Sequence, residues 1–332
     1  MPAGAFVTSK RVRIWGAVLI AVLTVYSWPV RCVAQDVAFI SDEDLKAWNG
    51  DRAMNDIVKQ LSFGARAINT PGHQLEVDWI KAQLAAASMP VLIQDGDLSS
   101  RSGGKNLTVT NIIGRLDPLK RNRIIVGTHY DSIIRAYADP HNPDGPMPGA
   151  NNSASGVALL LETMRVLRAL KIHTELGIDF VFFDGEEGPL ALGAGDPNWW
   201  ALGSYYFSTR LQDVYRDKKP VAGVIFDMVC YNKLILHPEP LSLKFAERDV
   251  AKFWRIGHEL APQIFVPTIT PSPISDDHTA LAAAGIPSFL VIGFDYDPWF
   301  NTTQDTPDKC STASLEAVGR TLTRYLFSAP GG

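Results

Sequence analysis

Phe182-Phe183-Asp184-Gly185-Glu186-Glu187 is the stretch that most constrains this chain. From Ile178 the residues read as a buried strand, and the apolar run then stops at three carboxylates within four residues. Acidic groups at the carboxyl end of a buried strand are costly unless they bind a cation or handle protons. Two adjacent glutamates at a strand end point in different directions. One can hold a metal while the other faces a substrate as general base. The plainer alternative is a solvated acidic turn.

The rest of the chain repeats the pattern of apolar runs ending in polar clusters. Residues 42–88 read as helical, with Leu75, Trp79, Ile80 and Leu84 at helical spacing after the Thr70-Pro71-Gly72 break. Strands are expected at 91–93, 106–116, 124–127, 177–183, 221–229 and 287–294. Helices are expected from Val157 to Leu167, at 205–211, 246–260 and 275–285, and at the end from Leu315 to Tyr325. Residues 133–150 and 188–204, rich in Gly and Pro, read as loops. Strands alternating with helices predict a three-layer αβα sandwich. The polar clusters fall at strand ends, where open α/β sheets place their sites. They are His129 with Asp131, Asn152, Glu186 with Glu187, Asp227, Asp276 to His278, and Asn301. Asp276 and Asp277 could equally cap the helix that begins just after them.

The N-terminus differs in character. Lys10, Arg11 and Arg13 precede an apolar run from Ile14 to Trp28, then Pro29 and Cys32-Val33-Ala34. This reads as an export signal over residues 1–34, with an uncleaved membrane anchor as the alternative. Residues 35–332 then form a single α/β domain, exported to the periplasm or outside and off the membrane once the signal is cut. The formal charge is −4, and because residues 1–34 hold four basic and no acidic residues, the remainder carries −8. That balance gives no sign of a nucleic-acid partner. Cys230 and Cys310 remain, compatible with a disulfide in an oxidising compartment or with two buried thiols.

His129-Tyr130-Asp131-Ser132, Pro148-Gly149-Ala150-Asn151, Phe182 to Glu187, Leu202-Gly203-Ser204, Asp276-Asp277-His278 and Asp305-Thr306-Pro307-Asp308 together resemble family twenty-eight of the metallopeptidases. That family includes zinc aminopeptidases and glutaminyl cyclases, and the resemblance runs from about Phe63 to Leu326. Asp-Gly-Glu-Glu and Asp-Asp-His look closer to the cyclase branch. The resemblance implies a mixed, mostly parallel sheet between helices, zinc as cofactor, and a peptide or protein N-terminus as substrate or ligand. It also implies Glu186 as general base, Glu187 as a zinc ligand, His129 and Asp227 as ligands of a second zinc, and Asp276 as an acid assisting proton transfer. On that fold Trp199, Trp200, Trp299 and Phe300 would sit around the cleft mouth, where they could hold an apolar or N-terminal side chain; ordinary core packing is the alternative for each.

Two positions depart from the family pattern. Asn152 stands where the motif continues with a bridging Asp, and Asn301 stands where a ligand His precedes the final Thr-containing motif. Neutral amides are poor ligands for Zn²⁺. Leu290 stands where related chains often carry a polar residue, one that would support the ligand histidine. A family member that keeps a peptide-binding or scaffold role without zinc catalysis is therefore one reading. A working enzyme with a rearranged site is the other, using His129, Glu187, Asp227 and either Asp131 or His278.

Overall fold

The computed structural model describes residues 40–98, 107–171, 173–188 and 201–328. All fall within one compact unit, Val37–Gly332. The export or anchor reading of residues 1–34 lies outside the described residues. No described helix is long and apolar enough to cross a membrane.

The elements in chain order begin with α1 (Asp42–Leu45), α2 (Gly50–Leu61), α3 (Pro71–Ala86), β1 (Val91–Asp97), β2 (Thr108–Leu116) and β3 (Arg123–His129). Next come α4 (Ala154–Leu170), β4 (Gly177–Phe183), α5 (Leu202–Thr209), α6 (Leu211–Val214) and β5 (Ala222–Asp227). The series closes with α7 (Pro240–Leu260), α8 (Asp277–Ala283), β6 (Ser288–Ile292) and α9 (Thr312–Phe327). The sheet order is β1-β2-β4-β3-β5-β6. β1 and β2, and β2 and β4, pair antiparallel; β4, β3, β5 and β6 run parallel. This is the expected mixed sheet between helices.

Strand residues alternate between two apolar layers, as the two-residue period of a strand requires. Ile124, Val126, Phe180, Phe182, Val224 and Phe226 pack into the larger cluster with residues of α2, α4, α7 and α9. Ile125, Val181, Phe183, Ile225 and Leu290 pack into the smaller one with residues of α5, α6 and α8. Both faces being covered explains why the central strands are buried throughout and read as continuous apolar runs.

The largest differences from the sequence reading lie near the N-terminus. Residues 42–88 form three helices, divided at the expected Thr70-Pro71 break and again at residues 46–49. Asn49 caps α2, and Thr70 with Pro71 opens α3. Leu75 is 51% exposed; Val77, Ile80 and Leu84 carry the buried face instead. β1 extends to Asp97, α5 begins three residues earlier than expected, and α7 begins at Pro240, where Glu239 caps it.

Two features fix the parts that carry the site. Gly156, in the first turn of α4, lies so close to β3 that an added Cβ would sit 2.0 Å from Thr128 Oγ1. Only glycine lets the start of α4 approach the end of β3 there. Cys230, just past β5, is disulfide-bonded to Cys310, which settles the alternative that the sequence left open.

At the opposite end of the sheet, Arg123 forms a two-pronged pair with the buried Asp179, Nε to Oδ2 at 2.9 Å and a terminal nitrogen to Oδ1 at 2.8 Å. The same guanidinium donates to the carbonyls of Leu116, Asp117 and Ile178. Tyr215 also donates to Asp179, at 2.6 Å. Removing the cation leaves a buried carboxylate short of its main partner. Arg123→Met is expected to lower unfolding free energy by about 3 kcal/mol or more in urea denaturation. A loss well under about 1 kcal/mol would show that the pair contributes little.

Candidate active site

The expected site residues converge at the carboxyl ends of the parallel strands. After β4 the chain turns at Gly185, whose φ of 64° lies in the left-handed region that favours glycine. The turn presents Glu186 and Glu187 with their backbone N–H groups donating to the Asp131 carboxylate, at 3.0 and 3.1 Å. Asp184 faces away from this group. It accepts from Thr110 N at 2.7 Å and pairs with His73 Nε2 at 2.8 Å, tying the turn to β2 and α3.

His129, the last residue of β3, is buried between two carboxylates. Nδ1 lies 3.3 Å from Asp131 Oδ1 and Nε2 lies 3.3 Å from Asp227 Oδ1. Burial opposes the imidazolium, but the bonds to Asp131 and Asp227 outweigh it and raise the His129 pKa well above its ordinary value. Asp227, Glu186, Glu187, Asn152, Asp276, Phe300 and Asn301 line one cleft. Asp276 lines the cleft, and its side chain also accepts from Asp277 N at the start of α8, as the capping alternative expects. Burial, and then the charge of Asp227, push the Asp276 carboxyl up to about 6. Burial, then Asp276, hold Glu186 well above the usual carboxylate range. Glu187 is pushed up to about 8, chiefly by burial, with Asp131 and Asp227 adding to it.

Asn152 and Asn301 are buried in the same cleft. Asn152 Nδ2 donates to Glu187 Oε1 at 2.5 Å and approaches Asn301 Oδ1 at 3.4 Å. Asn301 Nδ2 donates to the Tyr137 hydroxyl at 3.1 Å. Asn152 Oδ1 is buried without a hydrogen-bond partner. Asn301 has a φ of 53°, a conformation that asparagine accepts more readily than most residues. The backbone N–H groups of Asn151 and Asn152 both donate to Asp305, at 2.8 and 3.0 Å, and Tyr296 donates to the same carboxylate at 2.7 Å.

Several expected residues lie elsewhere. Trp299 does not line the cleft; Lys309 Nζ sits 4.6 Å from the centre of its ring. His278 is fully buried against Glu239, 3.2 Å from Oε1, and is not a cleft residue, so a rearranged site in this conformation cannot draw on it. Trp199 and Trp200 lie outside the described residues. The sequence reading missed Tyr137, Ile274, Ile292 and Phe294. Tyr137 sits in the Pro-rich loop, and the other three carry no chemical signature.

The site is thus a buried carboxylate cleft at the switch point of an α/β sandwich, where such sheets place their ligand sites. Residues 111–326 match peptidase family M28, and the chain belongs to that family. The glutaminyl-peptide cyclotransferase of Boiga dendrophila is 23% identical over 283 residues, covering 78% of this chain and 76% of that protein. Leucine aminopeptidase 1 of Sclerotinia sclerotiorum is 29% identical over 290 residues, covering 80% of this chain and 68% of that one. The crystal structure of Tannerella forsythia glutaminyl cyclase superposes with a TM-score of 0.77 at 29% identity, over 85% of this chain and 99% of that one. A Zn-dependent exopeptidase from Parabacteroides distasonis gives 0.78 at 26%, with the same coverage.

The family suggests zinc, so the donor set bears testing. The positions assigned by resemblance to a shared zinc hold Glu187, Asn152 and Asn301. Two of these three are neutral amides, and Asn152 turns an N–H toward the remaining carboxylate. No group of three or more His, Cys, Asp or Glu among the described residues is arranged to hold a metal. This set does not fit a resident Zn²⁺.

The raised pKa of Glu187 couples stability to pH. The folded state holds that proton to about pH 8, whereas the unfolded chain releases it near 4.5. The folded chain therefore binds more protons across that window, and stability falls as pH rises through it, by up to about 1.4 kcal/mol per unit. Glu187→Gln keeps an acceptor for Asn152 and removes the titration. Its unfolding free energy is expected to decline less than the natural protein's between pH 5 and pH 8. Parallel declines would show that Glu187 does not titrate in this way.

Proposed function

We propose that this protein is exported and binds the free N-termini of peptides in the carboxylate cleft, without a resident zinc ion. The observation that carries this reading is the Asn152 amide. Its nitrogen donates to Glu187 Oε1 at 2.5 Å and approaches Asn301 Oδ1 at 3.4 Å, so at two of the three positions assigned to a zinc stand amides bonded into the protein's own network. A buried carboxylate needs compensation, and hydrogen-bond donors supply part of it. Asp227 faces the open cleft and suits an ammonium group, whose charge would also favour the anions of the neighbouring Glu186 and Asp276. Kinship supports the ligand class: relatives are named glutaminyl-peptide cyclotransferases and aminopeptidases. Export is supported by the basic-then-apolar N-terminus and by the Cys230–Cys310 disulfide, which belongs to oxidising compartments.

A second reading has its own support. Glu186 and Asp276 share the cleft and both carry raised pKa values, Asp276 at about 6. Such a pair can hold and pass a proton near neutral pH. On this reading the α-amine of an N-terminal glutamine attacks its own side-chain amide carbon, the C–N bond to the amide nitrogen breaks, and Glu186 carries the proton from the α-amine to the departing ammonia.

Metal analysis decides the first point. After dialysis against trace Zn²⁺, residues 35–332 are expected to hold far less than one zinc per chain. Asn152→Asp with Asn301→His is expected to bind about one. Stoichiometric zinc in the natural protein would overturn the metal-free reading. Cyclisation of a Gln-initiated peptide by the metal-free protein, lost in Glu186→Gln, would establish the second reading over simple binding.

A further inference from the structure

The end of the sheet opposite the cleft carries a surface that neither reading of the site uses. Three loops meet there, at residues 117–122, 173–176 and 215–221, and together they hold five Lys or Arg against three Asp or Glu. The chain beyond residue 34 carries −8, so this basic end runs against the charge of the whole. Lys120, Arg121, Asn122, Glu175 and Lys218 line an open groove of about 490 Å³ between the loops. Arg121 and Lys218 are exposed. Arg121 lies 4.0 Å from Asp217 Oδ2, and Lys218 Nζ donates to Asn122 Oδ1 at 2.6 Å. Exposed contacts of this kind contribute little and leave the cations available to an anion.

Next to these cations stands Leu119, 95% exposed, more than any other large hydrophobic residue among those described. A lone exposed leucine is ordinary, but this one is held out by a braced turn. Pro118 presets the turn from Asp117 to Lys120, which closes with Lys120 N donating to Asp117 O at 3.1 Å. Arg123, fixed by Asp179, donates to the carbonyls of Asp117 and Lys120 at 2.8 and 3.2 Å. Lys120 Nζ donates to Thr174 O in the neighbouring loop. The tip of the turn therefore projects an apolar side chain between cations. Val221, 36% exposed and joined to Arg123 O through its N–H at 2.9 Å, adds a second apolar side chain to this end.

We infer that this basic end is a docking surface for a membrane containing anionic lipid, with phosphate headgroups over Arg121 and Lys218 and Leu119 entering the acyl boundary. Such docking is independent of what the cleft binds, and it departs from the expectation that the chain stays off the membrane once its signal is cut. A soluble polyanion would satisfy the cations but offers Leu119 no apolar partner, so lipid matches more of the surface. Docked by this end, the protein turns its cleft away from the membrane. β3 alone, from Arg123 to His129, separates the two ends by about 20 Å at the rise of a strand. The described chain also enters the compact unit from the basic side. Asp42 in α1 pairs with Arg324 in the last turn of α9, and Tyr325 packs 5.9 Å from Phe289, near the start of β6.

The test is co-sedimentation with vesicles of residues 35–332, which include the compact unit Val37–Gly332 and leave out the apolar N-terminal run. One set of vesicles is phosphatidylcholine alone; the other carries about one-third phosphatidylglycerol. Binding is expected to the second set only, with release by added salt. Arg121→Gln with Lys218→Gln is expected to weaken it about tenfold or more. Leu119→Ser, which changes no charge, is expected to weaken it about fivefold or more. All three side chains are exposed, so both variants are expected to keep the natural melting curve and the natural binding of peptides in the cleft. Failure of the natural protein to bind the anionic vesicles, or equal binding to both sets, would overturn the inference. So would Leu119→Ser binding them as the natural protein does; retention on dextran sulfate, lost only in the charge variant, would then assign the surface to a soluble polyanion.

Discussion

The Asp131 carboxylate is the contact on which the site depends. It accepts the N–H groups of both Glu186 and Glu187 and faces the His129 ring. Its own backbone carbonyl accepts from the Ser153 hydroxyl at 2.7 Å. One buried residue therefore fixes the turn after β4, the imidazole at the end of β3 and the entry to α4. A carboxylate bonded to two backbone N–H groups is a firm anchor, since each such charge-assisted bond exceeds an ordinary one. Asp305 plays the same part across the cleft, holding the N–H groups of Asn151 and Asn152 and the hydroxyl of Tyr296. The cleft is shaped by two acids that do not line it.

With the scaffold fixed, charge decides what the cleft can hold. Glu186, Glu187, Asp227 and Asp276 share the cleft, with His129 as the basic group beside them. Crowded carboxylates protonate, attract a cation or are bonded by donors. Here Glu187 takes the Asn152 amide, and Asn301 is itself bonded to Tyr137. The amides are thus integrated into a network, with Asn152 Oδ1 left over as an acceptor. Leu290 is consistent with this: it is buried in the smaller apolar layer, where a polar side chain would need a partner.

Much of the fold was legible in the sequence because strands buried on both faces leave long apolar runs, and those runs ended in the polar clusters that the structure gathers. His129, Asp227, Glu186 and Glu187 could be found for that reason, whereas Asn152, Asp276 and Asn301 took their meaning from the family resemblance. What was not legible was geometry between distant segments. Leu75 fits the helical period of α3 but faces out, because period alone does not say which stripe the sheet covers. Trp299 sits next to Phe300 in sequence, yet its ring packs against Lys309 and stays out of the cleft lining. His278 comes after two acids in an apparent ligand run, but the Glu239 carboxylate lies beside its ring, and that pairing spans a whole helix. Ile274, Ile292 and Phe294 could not be separated from ordinary core residues, since an apolar wall differs from a core only by what it faces.

The disulfide adds a constraint that links these levels. Cys230 lies three residues past Asp227, and its N–H donates to Asn151 Oδ1 at 3.0 Å. Cys310 lies five residues past Asp305, and Ser311 N donates back to Cys230 O at 2.7 Å. The crosslink therefore sits directly behind the segments that supply Asp227, Asn152 and the Asp305 anchor. A covalent tie at that place limits how far the loop bearing Asn301 can move from the loop bearing Asn152. Asn152, bonded to Glu187 and 3.4 Å from Asn301 Oδ1, lies between the two loops that this tie helps to hold.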